Sequence, residues 1–279
     1  FFFKQKTAYE IKECDWSSDV CSSDLVSLAI RTPLGTVIHT GDWKVDPTPV
    51  VGWTTDFRRL TEIGDEGVLA LVCDSTNVLR DGSSPSERDV ADTLDRLIAE
   101  APNRVAVTTF ASNIGRIRAV AEAAMKAERN LVVMGRAMRR AIDVAKECGL
   151  LDGIPEVLDD TAFGYLPRDK VVALLTGSQG ESRAALARIA TGDHRQVALS
   201  AGDRMIFSSR TIPGNEKAVN AILNGLAKMD IEILTDRDAL VHVSGHPRRV
   251  EMVEMYRAVR PRIAVPVHGE ALQIGRAHV

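Results

Sequence analysis

From residue 68 to residue 234 the chain keeps switching between short β-branched runs and longer amphipathic stretches, and this alternation restricts it to one fold class. Apolar runs at 68–72, 105–108, 131–134, 171–175, 196–199, 205–207 and 231–234 have the length and residue types of buried strands. Between them, 87–101, 113–127, 137–147 and 213–229, with a shorter piece near Arg183, carry apolar residues at helical spacing. Consecutive strands joined by helices run parallel, because only a crossover returns the chain to the starting edge. The sequence therefore predicts an α/β fold with a mostly parallel sheet. Ser86 stands directly before the first of these helices and suits its N-cap. Upstream, 28–31 and 36–39 flank Thr32-Pro33-Leu34-Gly35 as a strand-turn-strand unit.

Four polar clusters each follow an apolar, strand-like run, the runs being 35–38, 68–72, 239–243 and 262–267. They are Thr40-Gly41-Asp42, Asp74-Ser75-Thr76-Asn77, His242-Val243-Ser244-Gly245-His246 and Pro266-Val267-His268-Gly269-Glu270. Carboxylates and imidazoles at strand ends can converge on one point, as metal ligands must. Singly, each has a plainer reading. Thr-Gly-Asp is common turn chemistry, and Asp-Ser-Thr-Asn is rich in capping residues. A lone histidine after a strand is usually structural, although Gly269 would let the backbone pass close to a metal centre. A fifth segment, Gly177-Ser178-Gln179-Gly180, lies between the run 171–175 and a helix, so its backbone N–H groups and the Ser178 hydroxyl could cradle a phosphate. No Gly-Lys-Ser/Thr follows, which excludes a Walker loop.

Both ends are set apart from this pattern. Residues 15–25 (DWSSDVCSSDL) and 274–279 (IGRAHV) back-translate without a gap to DNA resembling sequencing-library adaptors, and the codons for 19–24 are the reverse complement of those for 274–279. Residues 4–11 look like more of the same. The leader lacks a basic segment followed by a long apolar core, so it is a poor signal peptide. We expect 1–25 to be an artefactual, disordered leader and 274–279 an artefactual tail. The body, 26–273, then holds 31 basic and 33 acidic residues, because the flanks carry four and five of the chain's 35 and 38. A net charge of −2 gives no global signature of a nucleic-acid binder, so any such affinity must come from a local patch or a metal. Cys73 and Cys148 are isolated and read as buried small hydrophobes, fitting a reducing cytoplasm.

The ordered series of motifs resembles the ribonuclease J family of the metallo-β-lactamase superfamily, whose members carry a β-CASP insertion. Besides the four clusters, His39-Thr40-Gly41-Asp42-Trp43-Lys44-Val45-Asp46, Thr109-Phe110-Ala111-Ser112-Asn113, Thr176-Gly177-Ser178-Gln179-Gly180-Glu181 and 207–217 (FSSRTIPGNEK) carry the resemblance. It implies a metal-dependent ribonuclease acting from 5′ to 3′ with some endonuclease activity, in RNA processing and decay. Asp42 resembles the aspartate that bridges two zinc ions, and His268 the last metal-binding histidine. Asp74 and His246 resemble the catalytic acid and histidine of the β-CASP motifs. The implied mechanism has His246 serving the leaving oxygen while a metal-bound hydroxide attacks phosphorus, with Asp74 orienting His246 or a metal ligand. His242 and Ser244, with Gly177, Ser178 and Gln179, are the implied phosphate contacts.

The implied partner is RNA, preferentially with a 5′-monophosphate, in the cytoplasm, with a homo-oligomer or an RNA-decay complex left open for the full-length protein. Arg116, Arg136, Arg139, Arg140, Arg248 and Arg249 read singly as solvated helix faces, with a subset available to line an RNA channel. Aromatic residues make up only 5% of the chain, which suits base-blind reading of a backbone better than stacking. The implied architecture is a partial αββα sandwich at 26–86, a β-CASP α/β domain at 87–235 and a return into the sandwich at 236–273. The departure is specific. The family's His-x-His-x-Asp-His motif is absent, and the histidines are His39, His194, His242, His246, His268 and His278 alone. Asp42 and His268 leave two ligands where each zinc wants about four. The expectation is a ribonuclease piece that is metal-poor and inactive by itself. Other β-CASP nucleases, of the mRNA 3′-end cleavage or DNA-repair type, and a non-catalytic RNA-binding or assembly module are the competing readings.

Overall fold

The structure, a computed structural model, describes residues 11–17 and 26–270. In chain order its elements are β1 (Ile11–Ser17), β2 (Val26–Thr32), β3 (Gly35–His39), α1 (Phe57–Glu66), β4 (Val68–Asp74), α2 (Glu87–Glu100), β5 (Val105–Thr108), α3 (Ile114–Lys126), β6 (Asn130–Met134) and α4 (Arg136–Glu147). There follow β7 (Val157–Leu158), β8 (Val171–Leu175), α5 (Ala185–Ala190), β9 (Arg204–Phe207), α6 (Glu216–Lys228), β10 (Glu232–Leu234), α7 (Arg249–Val259) and β11 (Ile263–Val267). They form two sheets, ordered β1-β2-β3-β4-β11 and β10-β9-β5-β8-β6-β7. The second is parallel throughout.

In the second sheet every residue of β5 and β8 is buried. Helices cover both faces, so these strands read as continuous apolar runs and not as alternating ones. Val107, Leu174 and Val133 pack under α2, α3 and α4, while Ala106, Ala173 and Met205 pack under α5 and α6. Burying one such Val or Leu side chain contributes roughly 1.5–3 kcal/mol. Helix α2 starts as its sequence predicts: Ser86 Oγ accepts the Arg88 N–H at 3.0 Å, and the Asp89 carboxylate takes the Ser86 N–H at 3.1 Å.

The first sheet begins with the antiparallel β2-β3 hairpin and continues with β4 parallel to β3 and β11 parallel to β4. Leu60 and Ile63 of α1 and Met252 and Met255 of α7 pack on it with Ile38, Leu71 and Trp43. The two helices touch closely enough that a Cβ on Gly64 would lie 2.3 Å from the Ala258 carbonyl oxygen, so only glycine fits there.

The structure departs from the sequence reading at several places. Residues 196–199 and 239–243 are not strands; Val197, Leu199, Val241 and Val243 are buried one at a time from loops. Helices α1 and α7 were not anticipated, and α1 buries only Leu60, Ile63 and Gly64, a stripe too thin to show as periodicity. Cys73 is buried but Cys148 is exposed on the end of α4, against the expectation for both. Part of the leader expected to be disordered, Ile11–Ser17, is a strand paired with β2. Ladder bonds use backbone groups alone, so an open sheet edge accepts an extended segment of almost any sequence. The rest of the leader and the tail lie outside the described residues. Among those described, no helix is long and apolar enough to cross a membrane.

Candidate metal centre

Strands β3, β4 and β11 are neighbours running the same way, so their C-terminal ends share one edge. Asp42 follows β3, Asp74 ends β4 and His268 follows β11. Backbone bonds stitch these ends together: the Thr40 N–H donates to the Val72 carbonyl at 3.0 Å, and the Ser75 N–H to the Val267 carbonyl at 2.9 Å. The fourth cluster arrives on a loop. Asn77 Nδ2 donates to Ser244 Oγ at 2.8 Å and to the His246 carbonyl at 3.2 Å, and Ser84 Oγ reaches the same carbonyl at 3.2 Å. Glu251 in the first turn of α7 is buried and accepts the N–H groups of Val45, Ser84 and Arg248, fixing three loops around the edge.

These connections bring one ligand atom each from Asp42, Asp74, His246 and His268 within 4.8 Å of one another. His268 Nδ1 lies 3.0 Å from Asp42 Oδ1 and 4.0 Å from Asp74 Oδ1. His246 Nδ1 lies 2.7 Å from Asp74 Oδ2. Asp74, only 1% exposed, spends its other oxygen on the Thr76 N–H and hydroxyl at 2.9 and 2.6 Å. The side chains of Asp42 and His268 are 34% and 59% exposed and stand open. His268 itself, and not Gly269, takes the left-handed conformation, with φ of 63°. Such a conformation costs a non-glycine residue of order 1–3 kcal/mol and collects at functional sites.

Burial disfavours the His246 imidazolium, but the Asp74 hydrogen bond and the charges of Asp74 and Asp42 outweigh it and raise the pKa above its ordinary value. The imidazole is thus held with Nδ1–H donating to Asp74 and Nε2 free to carry a second proton. Asp42 and His268 offer an open carboxylate and an open imidazole, oxygen and nitrogen donors that suit a divalent ion of borderline softness, while Asp74 and His246 are engaged with each other. Among the described residues no other group of three or more such side chains comes together in this way.

The expected phosphate contacts fare differently. Gln179 is a brace: its side chain donates to the Arg210 carbonyl at 2.9 Å and accepts the Ile212 N–H at 2.9 Å. Its backbone N–H goes to Glu181 at 3.0 Å and that of Gly180 to the Gly177 carbonyl at 3.2 Å, so these two donors are used within the loop. Ser178 is buried, and Gly177 is pressed so close to α5 that a Cβ would lie 2.7 Å from the Leu186 Cβ. Ser244 accepts from Asn77 and from the His246 N–H. His242 differs, because its buried Nδ1 has no protein partner. Burial, then the charges of Arg116, Arg210 and Lys44, push its pKa down to about 3.

Two features escaped the sequence reading. Arg116, expected on a solvated helix face, is fully buried. It grips both Glu87 oxygens at 2.9 and 2.7 Å and donates to the Val241 carbonyl at 2.7 Å. The apolar content of α3 gives no hint of this; only the rarity of a lone Arg on its inward face could have. The second is a group of like charges, in which burial and the neighbouring Arg210 and Arg248 hold the Arg80 guanidinium below its ordinary pKa. Arg80 and Arg210 stand far apart in sequence and on loops, where no periodicity operates.

The chain resembles known proteins along most of its length. Residues 102–226 match the model of the ribonuclease J β-CASP domain, and residues 230–275 that of the RNA specificity domain of Zn-dependent metallo-hydrolases. The chain is 60% identical over 249 residues to a ribonuclease J of Sinorhizobium meliloti, covering 89% of this chain and 44% of that protein. It is 44% identical to a ribonuclease J of Corynebacterium glutamicum over 91% of this chain and 36% of the relative. For the Mycolicibacterium smegmatis ribonuclease J the identity is 42%, over 95% and 48%. The chain thus spans less than half the length of these curated relatives. A solved structure of a protein of unknown function from Enterococcus faecalis V583 shares the fold, with a TM-score of 0.61 at 17% identity over 96% of this chain and 59% of that one.

Proposed function

The chain belongs to the ribonuclease J family over the stretch it spans, and from that premise we propose that its four converging clusters are part of the active site of a metal-dependent RNA phosphodiesterase. The observation that carries this reading is the approach of Asp42, Asp74, His246 and His268 to within 4.8 Å. Asp42 and His268 hold the metal, as their openness suggests. Zn2+ fits these oxygen and nitrogen donors, with two ions per site in the complete protein, and the residues described here supply two of the ligands. When bound, the metal supplies Lewis acidity at the phosphoryl oxygens and a lowered pKa for water.

The remaining work falls to the chain itself. Asp74 fixes the His246 ring through Nδ1 and favours its protonated form, so that Nε2 delivers a proton to the leaving oxygen. Asp74 stays a positioning residue, since its own oxygens are occupied. Substrate phosphates meet Arg80, Arg210, Arg248 and the unpartnered His242, which supports an RNA substrate, with a 5′-monophosphate as the favoured end. The family reading makes the complete protein a cytoplasmic 5′-to-3′ exoribonuclease with endonuclease activity, alone as a homo-oligomer or in an RNA-decay complex. In it, 26–86 and 236–273 form the metallo-β-lactamase part and 87–235 the β-CASP domain. By itself this chain is inactive, because the described residues offer no ligands for a second metal.

The test uses a complete protein carrying these residues and a 5′-monophosphorylated RNA. His246→Ala should abolish turnover while zinc content holds, whereas His268→Ala should lose zinc as well. Unchanged turnover in His246→Ala would overturn the assignment, and RNA binding without cleavage in the unmodified protein would favour a non-catalytic module.

A further inference from the structure

A basic cavity lies at the C-terminal ends of β6 and β8, in the sheet that does not carry the metal centre. It encloses about 880 Å³, and none of Asp42, Asp74, His246 and His268 lines it. That volume is typical of small-molecule sites, and the place is where open parallel sheets bind ligands, just beyond the strand ends. The two strands end side by side, Met134 opposite Leu175. The next residues, Gly135 and Thr176, are so close that a Cβ on Gly135 would lie 2.8 Å from Thr176 Oγ1. Gly135, at φ of 104°, turns the chain straight into α4, whose first turn has no side-chain cap and no acidic residue.

The charges around this cavity are unevenly satisfied. Asp160 is paired with Arg139 at 3.4 Å, and Asp159 accepts the Thr161 N–H at 2.9 Å. Arg136, Arg183 and Arg188 also line the cavity, and among the described residues none of the three has a carboxylate partner. His194 completes the wall: its Nδ1 accepts the N–H groups of Gln196 and Val197 at 3.4 and 3.2 Å, so Nε2 carries the hydrogen as a further donor. Three unpaired guanidinium groups, an imidazole N–H and the free N–H groups of a helix start all favour one class of ligand, an anion with several acceptor oxygens. No aromatic ring other than His194 lines the walls, so recognition rests on phosphate and not on base stacking.

We propose that this cavity is a second binding site, distinct from the metal centre, for a phosphate monoester of nucleotide size. The same chemistry is presented by a free mononucleotide and by the 5′-phosphate of a short RNA. Isothermal titration of the metal-free chain with inorganic phosphate, AMP and an RNA tetranucleotide, with or without its 5′-phosphate, tests the site and identifies the source. Saturable binding of a phosphorylated probe is expected, with at least a tenfold loss in the Arg183→Glu/Arg188→Glu variant and less than a twofold change in His268→Ala. Tighter AMP would identify a free nucleotide as the natural occupant, and tighter phosphorylated RNA a strand end. Both arginines are exposed, so the variant should keep the native circular dichroism spectrum. The proposal is overturned if no phosphorylated probe saturates, if removing the 5′-phosphate leaves RNA binding unchanged with AMP silent, or if the folded double variant binds as before.

Discussion

Removing the Arg116 side chain should be among the most damaging single changes in the molecule, and the structure says why. The guanidinium has no exposure to solvent, and its partner Glu87 is 2% exposed. Arg116→Met deletes the bidentate contact at 2.7–2.9 Å and leaves a carboxylate stranded in the interior. Breaking a buried pair from one side costs roughly 3–5 kcal/mol, mostly the penalty of the unpaired charge. For a chain of this size that corresponds to a fall in Tm of about 6–20 °C. The Val241 carbonyl adds little to the loss, since Ser208 Oγ still donates to it at 2.7 Å. The loss should therefore be largely recovered in Arg116→Met/Glu87→Leu, where both charges disappear and methylene groups fill the space. Urea denaturation of wild type, both single variants and the double variant gives the coupling energy directly. A single variant within about 1 kcal/mol of wild type, or a double variant whose loss equals the sum of the singles, would refute the argument.

Other outcomes are equally specific. His242 is held neutral in the native chain, with its pKa near 3, whereas an unfolded histidine protonates near 6.5. The unfolded state binds the extra proton first, so stability should fall as pH drops from about 6.5 towards 3, by a few kcal/mol in all; His242→Gln should flatten that part of the stability profile measured by urea denaturation. Gly180→Ala should cost more than 2 kcal/mol, because φ is 81° and the new Cβ would lie 2.5 Å from Ala218 Cβ; an unchanged melting curve would contradict this. Asp74→Asn keeps the shape but weakens the hold on His246, so in a complete protein kcat should fall about tenfold or more with KM nearly constant, and the acidic-to-alkaline pH profile of the rate should shift downwards.

How far the residues announce the fold depends on how they are buried. β5 and β8 match their sequence-predicted bounds because strands covered on both faces are uninterrupted apolar runs. Ser86 announced α2 because capping chemistry is local. By contrast, 239–243 has the apolar content of a strand but hands its Val241 carbonyl to Arg116 and Ser208, a tertiary arrangement invisible to local pattern. The candidate site was legible for a related reason. Asp42, Asp74 and His268 follow strands that turn out to be adjacent and parallel, so their ends had to meet. What could not be read was which donors would be spent. The Gly177–Gly180 segment has the composition of a phosphate cradle, yet its Gln179 and Gly180 N–H groups bond within the loop, and the Gln179 side chain braces a neighbouring loop.

The central claim is that four distant stretches build one metal-holding site, and metal stoichiometry tests it most directly. The purified chain, dialysed against Zn2+ and analysed for its elements, should retain up to about one equivalent, held by the two open ligands Asp42 and His268. His268→Ala and Asp42→Asn should each reduce it to near zero without loss of fold. Background zinc in the unmodified chain, or a full equivalent in both variants, would contradict the account.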